Sequence, residues 1–78
     1  NDTDQVLFGA WVEVRDEEGA KRTYRIVGID ETDPGRGFIS WISPMAKALL
    51  QARVGDAVTL RMPKGEEELE VISVRYRP

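Results

Sequence analysis

The 78-residue sequence contains neither cysteine nor histidine. The lack of cysteine excludes a disulfide framework, a thiolate metal site and a thiol nucleophile, and is consistent with a reducing cytosol. The lack of histidine removes the one side chain whose ordinary pKa suits a general base near neutral pH. No apolar run approaches the roughly 18 to 20 residues that a membrane-spanning helix needs. A signal peptide is missing too, and a start at Asn1 rather than methionine leaves room for a preceding part. There is also no basic run. Eleven Lys and Arg stand scattered among fourteen Asp and Glu, for a net charge of −3. Counterion release calls for a concentrated basic footprint, so direct sequence-specific binding of nucleic acid is not expected. Only a fold that gathered Arg22, Arg25, Arg75 and Arg77 on one sheet face would reopen that class.

What is present is a small globular composition, 41% hydrophobic and 32% charged. Residues 1–78 are expected to form a single domain. At this length a chain buries only somewhat more than about 60% of its unfolded surface, so nearly every large apolar side chain is needed in one core. Five segments read as strands. "FGAWVEVR" (8–15) alternates Phe8, Ala10, Val12 and Val14 against Trp11, Glu13 and Arg15, the half-buried pattern. "KRTYRIVGID" (21–30) switches its apolar phase beside Gly28, which predicts a bulge. "GFISWIS" (37–43) and "AVTLRM" (57–62) follow. "EELEVISVRYR" (67–77) switches phase between Val71 and Ile72, which predicts a second bulge or burial on both faces. "PKG" (63–65) has proline-initiated turn chemistry and predicts a hairpin between the last two strands.

Only "SPMAKALLQ" has helical spacing. Met45 and Leu49, and also Ala46 and Leu50, stand four apart. Ser43 and Pro44 suit an N-cap and first helical position, so a short helix is predicted from about Pro44 to Gln51. Short connections and one helix predict an α+β fold, an antiparallel five-stranded curved sheet with its helix on one face.

Candidate chemistry is sparse. Ser43 stands in no nucleophile elbow, and its capping role accounts for it. "DETD" (30–33) has carboxylates suited to a hard cation but not the spacing of a calcium loop, and a solvated turn closed by Pro34 and Gly35 explains it better. "GEEELE" (65–70) reads as a charged edge that discourages strand-to-strand association. No enzyme activity, metal or cofactor is expected.

The ordered series "FGAWVEV", "YRIVGIDETD", "ISWISPMAKALL", "VGDAV" and "MPKGEEELEVISVRY" resembles the C-terminal domain of the bacterial transcript cleavage factors GreA and GreB, and its "FGAW" opening leans towards GreB. The resemblance spans about residues 6 to 77. It implies the FKBP-like fold, and docking on a coiled coil of the largest RNA polymerase subunit at the rim of the secondary channel. The family's N-terminal coiled-coil hairpin, with its acidic magnesium-holding tip, has no counterpart in these residues. The resemblance places Ser43, Pro44, Met45 and Ala46 on the polymerase-facing side, with Asp30 and Glu31 in the turn before the third strand. Core packing is the competing role for Leu49 and Leu50, and for Met45 the two roles are balanced. It implies a cytoplasmic protein, and a monomer is expected. Two other classes compete with a docking module: a related stand-alone regulator with a different N-terminal element, and, from fold alone, a prolyl isomerase.

Overall fold

The computed structural model describes residues 4–77. Five strands form one sheet in the order β3-β2-β1-β5-β4: β1 (Trp11–Arg15), β2 (Lys21–Val27), β3 (Phe38–Ser40), β4 (Ala57–Met62) and β5 (Gly65–Arg75). One helix, α1 (Pro44–Leu49), packs beneath it. Val12, Val14, Ile26, Leu69 and Val71 point inward from the sheet and meet Ala46 and Leu49 of the helix. Leu49 has no exposed surface, and burying such a side chain contributes about 2 kcal/mol. A helix this short would not persist alone, so this packing is what orders it.

The predicted cap forms. Ser43 Oγ accepts from the Ala46 amide at 3.2 Å, and Pro44 occupies the first turn. The β4–β5 hairpin also forms, with Met62 opposite Gly65 around Pro63 and Lys64. The phase switch in β5 is a bulge. Glu13 of β1 faces Ser73 while Val14 faces Val71, so Ile72 is the extra residue.

Three expectations need correction. The sheet is mixed, because β3 runs parallel to β2 with Ile26 opposite Ile39. Residues 28 to 37 are too many for a tight hairpin, and through two 3-10 turns, Ile29–Glu31 and Pro34–Arg36, they carry the chain back alongside β2, where Phe38 comes opposite Arg25. No bulge forms at Gly28; β2 stops at Val27, and Ile29 leaves the sheet altogether. Phe8 does not face the core. Gly9, at a φ of 88°, breaks the alternation just before β1, and Phe8 remains 59% exposed.

The crossover is held tightly where it returns. Gly37 adopts a φ of 81°, and its carbonyl accepts from the Arg25 amide at 2.9 Å. A Cβ at this position would lie 2.6 Å from the Thr23 carbonyl oxygen, so only glycine fits.

Candidate interaction surface

Parallel pairing brings the C-terminal ends of β2 and β3 to the same edge of the sheet, and both candidate segments leave from there. After Val27, the 3-10 turn Ile29–Glu31 carries Asp30 and Glu31 outward. After Ser40, the chain turns through Trp41 and Ile42 into Ser43 and Pro44. The two departures are tied together, since the Trp41 amide donates to the Val27 carbonyl at 3.0 Å. The second turn is closed by the Ser43 amide on the Ser40 carbonyl at 2.9 Å and the Ile42 amide on Ser40 Oγ at 3.2 Å. The edge is therefore closed by backbone bonds and by the Ser40 and Ser43 hydroxyls, and the Trp41 and Ile42 side chains take no part in those bonds.

The candidate residues divide at this edge. Asp30, Glu31 and Pro44 are exposed, and Ser43 is half-buried with its hydroxyl engaged in the cap. Ala46 is fully buried. Its methyl group belongs to the core, so it leaves the candidate set. Met45 is half-buried and packs against the core, where it lines a narrow cleft with Val14, Arg22, Tyr24 and Leu69. Met45 thus has one side on the core and the other open in that cleft. Its four-residue spacing from Leu49 accounts for this, because it puts both on the same helical side.

Sequence reasoning missed the apolar character of this edge. Among the described residues, Leu7, Phe8, Ile29, Trp41, Ile42 and Tyr76 are large, exposed and gathered at this end of the sheet. The Gly9 amide, donating to Ile26 at 2.9 Å, brings the Leu7–Phe8 turn beside the end of β2. Tyr76 follows the end of β5, and its hydroxyl donates to the Gln5 carbonyl and accepts from the Leu7 amide. A single exposed apolar residue needs no explanation, but a gathering of them marks an interaction surface.

The uncovered face of the sheet is different. Phe38, Arg25, Trp11 and Arg75 form one register row across four strands. The Arg25 guanidinium lies 5.1 Å from the Trp11 ring centre and 5.8 Å from that of Phe38, and Arg75 lies 5.7 Å from Trp11. Trp11 and Phe38 meet edge to face at 5.6 Å. These cations are occupied with neighbouring rings, which stabilises an exposed face by roughly 0.5 to 1 kcal/mol per contact. Arg22 stands opposite Val14, so it belongs to the other side, and the four arginines do not gather. Further along the same face Glu66, Glu68 and Glu70 stand in sequence on β5, with Arg15 on Glu70 at 2.6 Å and Arg61 on Glu66 at 3.2 Å.

Comparison with known proteins agrees with this geometry. Residues 1–76 match the family model for the C-terminal domain of the GreA/GreB transcription elongation factors. The chain is 53% identical over 74 residues to transcription elongation factor GreB of Neisseria meningitidis serogroup B, covering 95% of this chain and 45% of the relative. It is 48% identical over 73 residues to transcription elongation factor GreA of Alkalilimnicola ehrlichii, covering 92% and 46%. It thus spans somewhat under half the length of these curated relatives. The crystal structure of GreA factor homolog 1 from Thermus thermophilus superposes with a TM-score of 0.81 at 34% identity, over 94% of this chain and 49% of that one. Motif order, sheet topology and sequence identity point the same way, and the chain belongs to the GreA/GreB family as a C-terminal domain of its transcription elongation factors.

Proposed function

We propose that this chain is the RNA polymerase-docking half of a transcript cleavage factor, seated on the largest-subunit coiled coil at the rim of the secondary channel. One observation carries the reading. Asp30–Glu31 and Ser43–Pro44, distant in sequence, leave the sheet from the same edge, where the Val27 carbonyl accepts from the Trp41 amide. In this role the domain supplies affinity and position, acts as a cytoplasmic monomer, and does no chemistry of its own. Cleavage would depend on an acidic hairpin that these residues do not contain.

The test is competition. Added in excess to backtracked elongation complexes, the chain should displace a full-length GreB-type factor and reduce transcript cleavage without stimulating it. It should bind more weakly than the full factor, because a second contact inside the channel adds avidity. Undiminished cleavage at saturating domain would remove docking as its role. Similarity to GreA factor homolog 1 supports a second reading, a related regulator with the same docking domain and another N-terminal element. Upstream sequence predicting two long heptad-bearing helices with acids at their connecting turn would favour the cleavage factor.

A further inference from the structure

We propose that the free edge of β4 accepts one more strand, an extended polypeptide segment in which Lys or Arg alternates with apolar residues. The proposal is independent of the docking reading, because β3 and β4 are the outermost strands on opposite sides of the sheet. On the β3 side the edge is short and occupied: the Phe38 amide donates to the Asp33 carbonyl at 3.0 Å, and the Phe38 carbonyl accepts from the Asp33 amide at 2.9 Å. The β4 side is six residues long and open. The Asp56 carbonyl accepts from the Val71 amide at 2.9 Å, and bonded pairs alternate along an antiparallel ladder. Val58, Leu60 and Met62 therefore bond to β5, while Ala57, Thr59 and Arg61 turn their N–H and C=O groups outward. Among the described residues, no backbone group beyond the strand ladder meets those three. Such a row is a template for pairing, and its usual protections are few. β4 has no proline and a single charged residue, Arg61. The acidic run of residues 65–70, expected at an edge from the sequence, belongs to β5, one strand further in.

Side chains select the kind of strand. Ala57, Thr59 and Arg61 are exposed on the uncovered face, where they stand opposite Glu70, Glu68 and Glu66 of β5. Arg15 engages Glu70 and Arg61 engages Glu66, which leaves Glu68 without an ion-pair partner among the described residues. Glu17 lines a shallow depression together with Thr59, Glu66 and Glu68, so the charge there is negative. A residue facing Thr59 on an added strand would lie two strand spacings, about 10 Å, from Glu68, with only the short threonine between them. Lys or Arg spans that distance, whereas Asp or Glu would meet an acid. On the helix side of the same strand Val58 is half-buried and Met62 is 45% exposed, so the alternate positions favour apolar side chains.

The probe is an acetylated and amidated Lys-Val repeat peptide, with a Glu-Val peptide of equal length as its counterpart, titrated into the isotope-labelled chain while amide exchange is followed by NMR. The amides of Ala57, Thr59 and Arg61 should exchange fast in the free chain and slow at least fivefold at saturation, while those of Val58 and Leu60 are slow throughout. Thr59→Pro removes an outward donor and leaves the ladder to β5 intact, so it should fold and weaken binding at least tenfold. Glu68→Gln should weaken binding several-fold, by an amount that shrinks as salt rises. Outward amides that stay fast at millimolar peptide overturn the proposal, as does full binding by a folded Thr59→Pro chain. Should that variant fail to fold, exchange in the parent decides alone: slowing confined to the outward amides supports the edge, and slowing elsewhere overturns it. Equal affinity for the Glu-Val peptide overturns the basic character of the partner. Slowing of the same amides as the chain itself is concentrated, without peptide, gives the edge to a second copy and overturns the partner named here.

Discussion

The two ends of the sheet are built from opposite materials. At the hairpin end, the turn after β1 closes on itself: Asp16 Oδ1 accepts from the Glu18 and Ala20 amides, each at 2.9 Å, and Gly19 takes a φ of 88°. The turn between β4 and β5 is equally local, and the residues around both are mostly charged. At the crossover end, backbone bonds and the Ser40 hydroxyl do the closing while Ile29, Trp41 and Ile42 remain exposed. A turn needed only for folding spends its side chains on its own amides, whereas a turn kept for contact leaves them exposed despite the cost of wetting apolar surface.

Four substitutions sharpen or break that contrast. The largest effect belongs to neither end: Leu49→Ala should destabilise the domain by about 2 to 5 kcal/mol in chemical denaturation, because both ends hang from the same core. A loss below about 1 kcal/mol would mean that the helix is dispensable. Next is Gly37→Ala, where a positive φ and the Thr23 carbonyl both oppose a side chain; about 1 to 3 kcal/mol should be lost. Amide exchange should then speed up in β3 more than in β4, and equal exchange in the two strands would refute a locally held crossover. The smallest effects test the contrast directly. Asp16→Ala should cost about 1 kcal/mol through two lost turn bonds. Trp41→Ser should stay within about 0.5 kcal/mol, as an exposed residue away from the core does. The reverse order of these two in thermal melts would show that the apolar end is structural after all.

Legibility followed the range of the forces involved. The Ser43 cap, the Pro63–Lys64 turn and the bulge at Ile72 were readable because each is decided by neighbouring residues. The direction of β3 was not, since it depends on where the crossover leads rather than on any residue within "FIS". Ile29 and Phe8 were misread for one shared reason. An apolar residue next to a strand extends its alternation on paper, and nothing local says that the backbone has already left the sheet. Of the site, Asp30, Glu31, Ser43 and Pro44 remain candidates at one edge, Ala46 belongs to the core, and Met45 is half-buried against it.

The Tyr76 hydroxyl, bridging Gln5 and Leu7, joins residues 71 and 69 positions apart, so the two ends of the described chain are stitched together. Topologically the fold is close to a ring, and the place where a ring is cut is a matter of convenience. A chain opened between Pro63 and Lys64 and joined by a short flexible linker across its former ends would keep every strand neighbour and surrender only one two-residue turn. Such a permutant should fold to the same far-ultraviolet circular dichroism spectrum; failure to fold would show that the β4–β5 turn is a required nucleus rather than a replaceable seam.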